Sequence, residues 1–480
     1  MNGRDGRILS IDLGTSRVKV AALDRSFELD AEDVTYSSQT DSSGRSEQRT
    51  SDWTAGVASA STAIASRCDG VFEGVVLSAQ MPTLVAIDAD GRVIEPAVTW
   101  QDARADALVT RRLDVLARSR VARVAGTPID GRYIIPMHLR RLGDEGYDPR
   151  LLLSAKDYLF YVLTGEAVTD PSTASGFGNY DLVARAFSAE LGELWGISSN
   201  LLPRVEAPTY HAPLTRSGAQ LLGLGVGTPV WLGAADSVCA HYAVTRAVPD
   251  ATSVIDGSST VIITSAARDV DHDTVLRTPL VEDTIGVELD LLATGASLAW
   301  LAGVLATTTG ELEALALATS DPASSPVRFT PYLAGGEQGV LWRSDLTGEV
   351  SGLSLATSRS ELALALFEGI AFETVRCLDY LADHHATGPV VTLAGRDSAL
   401  LGPALIAAAT GRTTLAARAT SPSLLGAAMI AAGELGWTSN LERVLTWSPL
   451  PTLDARYLDR LSTRARDYLA TTPRDDRRSR

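Results

Sequence analysis

ILSIDLGTSRVKVAAL, residues 8–23, and TSVIDGSSTVIITSA, residues 252–266, follow one pattern and lie about half a chain apart. In each, a β-branched apolar run ends in an aspartate (Asp12, Asp256), a glycine and hydroxyl residues follow, and a second apolar run closes the pattern. Two such runs around a short Gly-containing turn read as a β-hairpin. One hairpin says little, but two, one at the start of each half of a 480-residue chain, predict a duplicated unit. The length agrees, because it exceeds what one hydrophobic core usually organises.

The segments that follow the first hairpin are consistent with a mixed α/β unit. A third strand is expected over Phe27 to Tyr36, and Ser51, Asp52 and Trp53 open an Ala-rich helix that ends near Cys68. A buried strand at Val75 to Leu77 and a hairpin over Leu84 to Ile94, turning at Ala89-Asp90-Gly91, come next. Leu401 to Ala409 is an apolar run too short for a bilayer and reads as buried helix. Pro473 to Arg480 is charged and reads as a frayed tail.

Composition narrows the function classes. A formal charge of −16 opposes a broad nucleic-acid surface, so any anionic ligand must be held locally, by backbone N–H groups, a few cations and a metal. Cys68, Cys239 and Cys377 are far apart and lack metal or redox spacing, which fits a reducing compartment. The N-terminal residues lack the regions of a signal peptide, so a cytoplasmic protein without membrane partners is expected. His138, His241 and the His384-His385 pair show no metal spacing and read as surface or satisfied core histidines.

The two turns are also where chemistry is expected. Gly14 lets backbone approach a ligand, Thr15 and Ser16 can donate to phosphate oxygens, and Lys19 adds a cation. An ordinary turn, with the hydroxyls bonded to their own backbone, is the competing reading. The partner turn Gly257-Ser258-Ser259 shifts the balance, since two hairpins can grip one triphosphate while Asp12 holds a hydrated magnesium ion. GTPVWLGAADSVCAHYAV, residues 227–244, reads as strand, small-residue turn and helix, with Asp236 either a helix cap or a functional carboxylate.

Taken in order, these segments resemble the FGGY family of carbohydrate kinases, from about residue 7 to about residue 437, and most closely its xylulokinases. IDLGTSRVKV is similar to the family's first phosphate motif, and LSAQMPTLVAIDADGRVIEPAVTWQDARA, residues 77–105, to its substrate segment. AKDYLFYVLTGEAVTDPSTAS, residues 155–175, follows its KDYL, LTG, TD and AS pattern. Residues 227–244 match the stretch with the catalytic aspartate, and DGSSTVIITS the second phosphate loop. PYLAGGEQG at 331–339 and EGIAF at 368–372 extend the resemblance into the second half. Where the family has an adenosine segment close to GGGAKS, the chain has Leu393-Ala394-Gly395-Arg396-Asp397-Ser398, and Ser421-Pro422-Ser423 precede Gly426-Ala427-Ala428. Pro82 stands where xylulokinases carry a sugar-contacting histidine, and proline cannot donate a hydrogen bond.

The resemblance implies an α/β chain of two actin-like, ribonuclease H-like ATPase domains with a cleft between them: residues 1–246, residues 247–472, then the tail. It implies transfer of the γ-phosphate of ATP to a sugar hydroxyl, with Asp236 as catalytic base. ATP would be held by Thr15, Ser16, Lys19, Gly257, Ser258, Ser259, Gly395 and Ser398, and Mg2+ by Asp12. Gln80, Met81, Trp100, Asp102 and Arg104 would shape the sugar site beside Asp236. A ketopentose such as D-xylulose is the leading substrate, with gluconate or another polyol or ketose as alternatives. An ATP-binding sugar sensor on the same fold is a reading of another class, and an actin- or chaperone-like ATPase would lack the segment from Gln80 to Arg104. A homodimer is left open.

Overall fold

The first hairpin pairs as its pattern requires. β1 (Arg7–Leu13) and β2 (Arg17–Leu23) run antiparallel, with Ile8 opposite Leu23 and Asp12 opposite Lys19. The structure is a computed structural model and describes residues 6–68, 71–266, 275–343, 345–385, 387–394, 399–418, 421–437 and 445–471. It divides into two compact units: residues 1–243 with 277–285 and 421–444, and residues 244–276 with 286–420 and 445–480.

In the first unit, β3 (Leu29–Thr35), β4 (Phe72–Ala79), β5 (His211–Pro213) and β6 (Pro229–Ala235) complete one sheet in the order β5-β6-β4-β1-β2-β3. β4 lies parallel to both β1 and β6, and the remaining pairs are antiparallel. Ile8, Leu9, Ile11 and Leu13 are all buried, which is the near-continuous apolar run of a strand covered on both faces. Helix α1 (Thr50–Arg67) covers one face with Trp53, Val57, Ala60 and Ile64, spaced three to four residues apart so that they form one stripe. Helix Pro422–Glu434 also belongs to this unit: Ser10 donates to the Leu424 carbonyl at 2.8 Å, and a Cβ on Gly426 would sit 1.7 Å from the Cys239 carbonyl oxygen. That close approach explains the small residues of the Gly426-Ala427-Ala428 run.

In the second unit, β7 (Thr252–Asp256), β8 (Thr260–Ala266), β9 (Ile285–Leu291), β10 (Val390–Ala394), β11 (Thr414–Arg418) and β12 (Thr446–Ser448) stand in the order β9-β8-β7-β10-β11-β12, and a seventh strand of the sheet, Leu276–Pro279, lies outside β9. β7 is antiparallel to β8 and parallel to β10, β10 is parallel to β11, and β12 closes antiparallel. Position for position this is the order of the first sheet, so the duplication read from two hairpins extends over six strands. The long helix Arg359–His384 supplies much of this core and starts at Ser358, whose backbone N–H bonds Glu361 in return for the cap from its hydroxyl. Its Glu368 accepts from Tyr457 at 2.7 Å and from Arg464 at 2.6 and 2.9 Å, tying down the last described helix, Ala455–Thr471.

Several local expectations hold within a residue or two. The Ala-rich helix ends at Arg67, the strand about Val75 to Leu77 extends to Phe72–Ala79, and Leu401 to Ala409 lies in helix Leu401–Thr410. The third strand starts two residues later than expected because Phe27 turns with φ +61°. His138 is a satisfied core histidine, 3.0 Å from the Tyr147 hydroxyl, and burial followed by the Arg141 charge lowers its pKa to about 4. Among the described residues no helix is long and apolar enough to cross a membrane, and no group of three or more metal-ligating side chains occurs. The tail and the segment 395–398, with Gly395 and Ser398, lie outside the described residues.

Candidate active site

Three adjacent parallel strands end in register. Leu13 of β1 pairs with Ala79 of β4, and Ala79 pairs with Ala235 of β6. The next residues, Gly14, Gln80 and Asp236, therefore leave the same carboxyl edge side by side, the edge at which open α/β sheets bind ligands. The Gln80 N–H donates to the Leu13 carbonyl at 2.9 Å and fixes one of these exits. A bulge aims another: pairing shifts between Trp231 and Ala234, Gly233 has φ +66°, and a Cβ there would lie 1.8 Å from the Leu77 carbonyl oxygen. Only glycine fits.

Asp12 lies at the end of β1, 2% exposed. Its Oδ2 accepts from Ser423 Oγ at 2.6 Å and faces Lys19 Nζ at 3.6 Å, the cross-strand neighbour set by the hairpin register. Its Oδ1 is buried without a hydrogen-bond partner among the described residues. A buried carboxylate oxygen left unpaired is costly, and a hard cation is what such an oxygen suits, so the residues present fit magnesium. Beside it Tyr36 donates to the Gly14 carbonyl, and burial, helped by the Asp12 charge, holds the phenol protonated well above its usual range.

The turn is braced from below by a residue that sequence reading missed. Gln48 Nε2 donates to the Thr15 carbonyl at 2.6 Å, while Gln48 Oε1 accepts from Trp53 and from Gln80 Nε2, each at 3.1 Å. Trp100 donates its indole N–H to Thr15 Oγ1 at 3.2 Å, and Gln80 Oε1 is buried with no partner among the described residues. Thus Asp12 meets Lys19, Thr15 meets Trp100 and, through Gln48, Gln80, and Ser16 stands exposed at the tip. Gln48 had no motif to signal it. Ser423, the other missed residue, had only its place before the Gly426-Ala427-Ala428 run.

Asp102 and Arg104 form a bracket against the neighbouring strand Ser46–Gln48. Asp102 accepts from Ser46 N–H at 2.9 Å and Arg104 N–H at 3.0 Å, and Arg104 Nη2 lies 2.6 Å from Asp102 Oδ2 and 2.5 Å from Glu47 Oε1. Asp102 is 1% exposed, so what it visibly does is hold the loop beside Gln48. Met81 and Pro82 pack on Gly176, where a Cβ would meet Met81 Cε at 2.9 Å and Pro82 Cγ at 3.2 Å.

Asp236 is the first residue of helix Asp236–Ala247 and half-buried, and its Oδ1 accepts from the Ser237 N–H at 2.8 Å. In the second unit the Gly257 N–H donates to Ser259 O at 2.8 Å, and Gly257 and Ser258 are exposed. Thr260 donates to Asp256 at 2.9 Å, and burial raises the Asp256 carboxyl to about 6. Ser258 O accepts from the Ala296 N–H at 3.1 Å, next to helix Gly295–Val304.

Two like sheets, each with an Asp-ended hairpin turn, and a carboxylate beside the first turn define an actin-like phosphotransferase fold, and the chain belongs to the FGGY family of carbohydrate kinases. The model of that family's N-terminal domain matches residues 7–243, and that of its C-terminal domain residues 251–434. Among characterised relatives, the chain is similar to the xylulose kinase of Staphylococcus epidermidis, 25% identical over 451 residues that cover 91% of this chain and 89% of the relative. Two solved structures from Lactobacillus acidophilus share the fold at TM-score 0.84 and 21% identity: a ligand-bound xylulose kinase, covering 97% of this chain and 99% of the other, and a gluconate kinase, covering 98% and 99%. The chain is thus a sugar kinase, most like the xylulokinases of its family.

Proposed function

We propose that the chain transfers the γ-phosphoryl group of ATP to a hydroxyl of a ketopentose such as D-xylulose, with Asp236 accepting the hydroxyl proton. The observation that carries this reading is the emergence of Gly14, Gln80 and Asp236 from one sheet edge, beside the unpaired Oδ1 of Asp12. Phosphoryl transfer asks the protein chiefly to position reactants and neutralise charge, with a base on the acceptor. Asp12 would hold magnesium, which when bound offsets phosphate charge. Thr15, Ser16 and Lys19, with Gly257, Ser258 and Ser259 of the second turn, would hold the phosphates. Gly395 and Ser398 are proposed nucleotide contacts on the family pattern alone. Gln80, with its unpaired Oε1, and Trp100 would face the sugar, Met81 would line it, and Asp102 and Arg104 would fix the loop.

The substrate test is ATP consumption over a panel of ketoses, polyols and aldonates. D-xylulose should give the highest kcat/KM, and a clear preference for an aldonate would replace it with a gluconokinase reading; Pro82, which removes a sugar-contacting donor, weighs against xylulose without pointing to an aldonate. Pro82→His should then raise xylulose turnover, and no gain beside robust native xylulose activity would show that Pro82 does not govern the choice. Asp236→Ala should lower turnover about a hundredfold to ten-thousandfold with ATP binding retained. A mere helix cap would instead lose about 0.5–2 kcal/mol of stability at normal turnover. ATP binding without sugar phosphorylation on any panel member would favour the sensor.

A further inference from the structure

The end of β6 is tied to a buried ionic cluster that the proposed chemistry leaves unused. Lys156 and Asp157 open helix α2 (Ala155–Thr164), and Asp170 caps helix α3 (Pro171–Ser175). None of the three is more than 1% exposed. Lys156 Nζ lies 3.0 Å from Asp170 Oδ1 and 3.4 Å from Asp157 Oδ1. Asp170 also accepts from Ser172 N–H at 2.9 Å, Ser172 Oγ at 2.5 Å and Thr173 Oγ1 at 2.5 Å. Ser172 Oγ then accepts the N–H of Ala235 at 3.0 Å. The run Lys156, Asp170, Ser172, Ala235 stops one peptide bond short of Asp236.

Helix capping accounts for part of this arrangement, since the Ser154 N–H donates to Asp157 at 3.1 Å and Asp170 caps α3. Capping a five-residue helix needs an aspartate but no buried ammonium, and replacing a buried ion pair by apolar side chains is often neutral or stabilising. Its placement is informative instead. Ala235 is where β6 ends, just past the Gly233 bulge, so the direction in which Asp236 leaves the sheet depends on what its N–H bonds. A hydroxyl that donates to an anion is a better acceptor in turn, because hydrogen bonds in series polarise one another. The opposite end of α3 leads into Gly176, on which Met81 and Pro82 pack, so one short helix touches both the sugar segment and the strand of the base.

We propose that Ser172 and Asp170, with Lys156 as fixed counter-charge, are positioning residues that aim the Asp236 carboxylate through the Ala235 N–H and thereby set kcat rather than substrate affinity. The inference rests on Asp236 being the base. Its test compares Ser172→Ala, Ser172→Thr and Asp236→Asn in the full chain, with kcat, both KM values and melting temperature measured for each. Ser172→Ala leaves the Asp170 cap on the Ser172 N–H intact. It should lower kcat about tenfold to a hundredfold, as small misplacements of a reacting group do, with either KM changed less than about threefold. Ser172→Thr, which keeps the hydroxyl, should recover most of that loss. Asp236→Asn should be nearly inactive. If Ser172→Ala keeps kcat within about twofold while Asp236→Asn is dead, the positioning role is wrong and the base assignment stands. An active Asp236→Asn would overturn both. A KM rise matching the kcat loss, or no recovery with threonine, would make Ser172 merely structural. Should Ser172→Ala not fold, the double variant Lys156→Met/Asp170→Asn decides, since asparagine also caps helices: about tenfold lower kcat at unchanged KM is expected, and parental kcat overturns the proposal.

Discussion

The two hairpin turns share a sheet position but not a chemical setting. In the first, Asp12 is 2% exposed, bonded to Ser423, close to Lys19 and left with one unpaired oxygen. In the second, Asp256 has the hydroxyl of Thr260 as its hydrogen-bond donor, and its carboxyl is raised to about 6 by burial. The first aspartate keeps one oxygen open, as the proposed cation ligand would need, whereas the second is held by its own hairpin. Duplication preserved the strands and the turn, and the neighbours supplied by other segments made the two sites different.

The sharpest way to break this contrast is to neutralise each aspartate. Asp12→Asn should lower kcat by about a thousandfold or more and weaken the dependence on magnesium, since the proposed metal ligand and its charge are lost together. Asp256→Asn should cost at least about tenfold less than that, and steady-state rates across a magnesium titration compare them directly. Equal losses would mean that both turns serve the metal.

Smaller effects sharpen the comparison. Ser423→Ala removes a hydrogen bond to the buried Asp12 carboxylate, a class worth about 1.5–3 kcal/mol of stability, so it should lower the melting temperature and, by loosening Asp12, kcat/KM about tenfold. Gly295→Ala would place a Cβ 2.1 Å from the Gly257 carbonyl oxygen, so the second turn has to move. The KM for ATP should rise about threefold to tenfold while the sugar KM stays put. The least effect is on pH. Asp256 binds its proton more tightly folded, at about 6, than unfolded, near 3.9, so stability falls as pH rises between these values and the cost persists above them. Thr260 can still donate to an asparagine, so Asp256→Asn should gain on the parent by about 1–2 kcal/mol between pH 4 and pH 7 in urea melts.

The strand pattern was readable from sequence because apolar runs and turn glycines are local signals. Six corresponding strands followed from two matching hairpins, even though the sheet positions of β10 and β11 carry no repeat that the eye can find. The aspartates and turn hydroxyls were legible for the same local reason. Gln48 and Ser423 were not, since each acts through a partner tens or hundreds of residues away: Gln48 on Thr15 and Gln80, Ser423 on Asp12. Asp102 and Arg104 were found as a pattern, but only the fold reveals that Arg104 clamps Asp102 and Glu47.

The five residues of α3 also bear on how such an enzyme can be altered. Its C-terminal neighbour Gly176 carries Met81 and Pro82, and its second residue holds the strand end before Asp236. Enlarging or emptying the Met81-Pro82-Gly176 contact to admit another sugar therefore shifts the same helix that holds the strand end before Asp236, the proposed base. Selection for a new acceptor at these three positions should pass through slow intermediates, and compensating changes should collect around Ser172 and Gly233 rather than in the pocket wall.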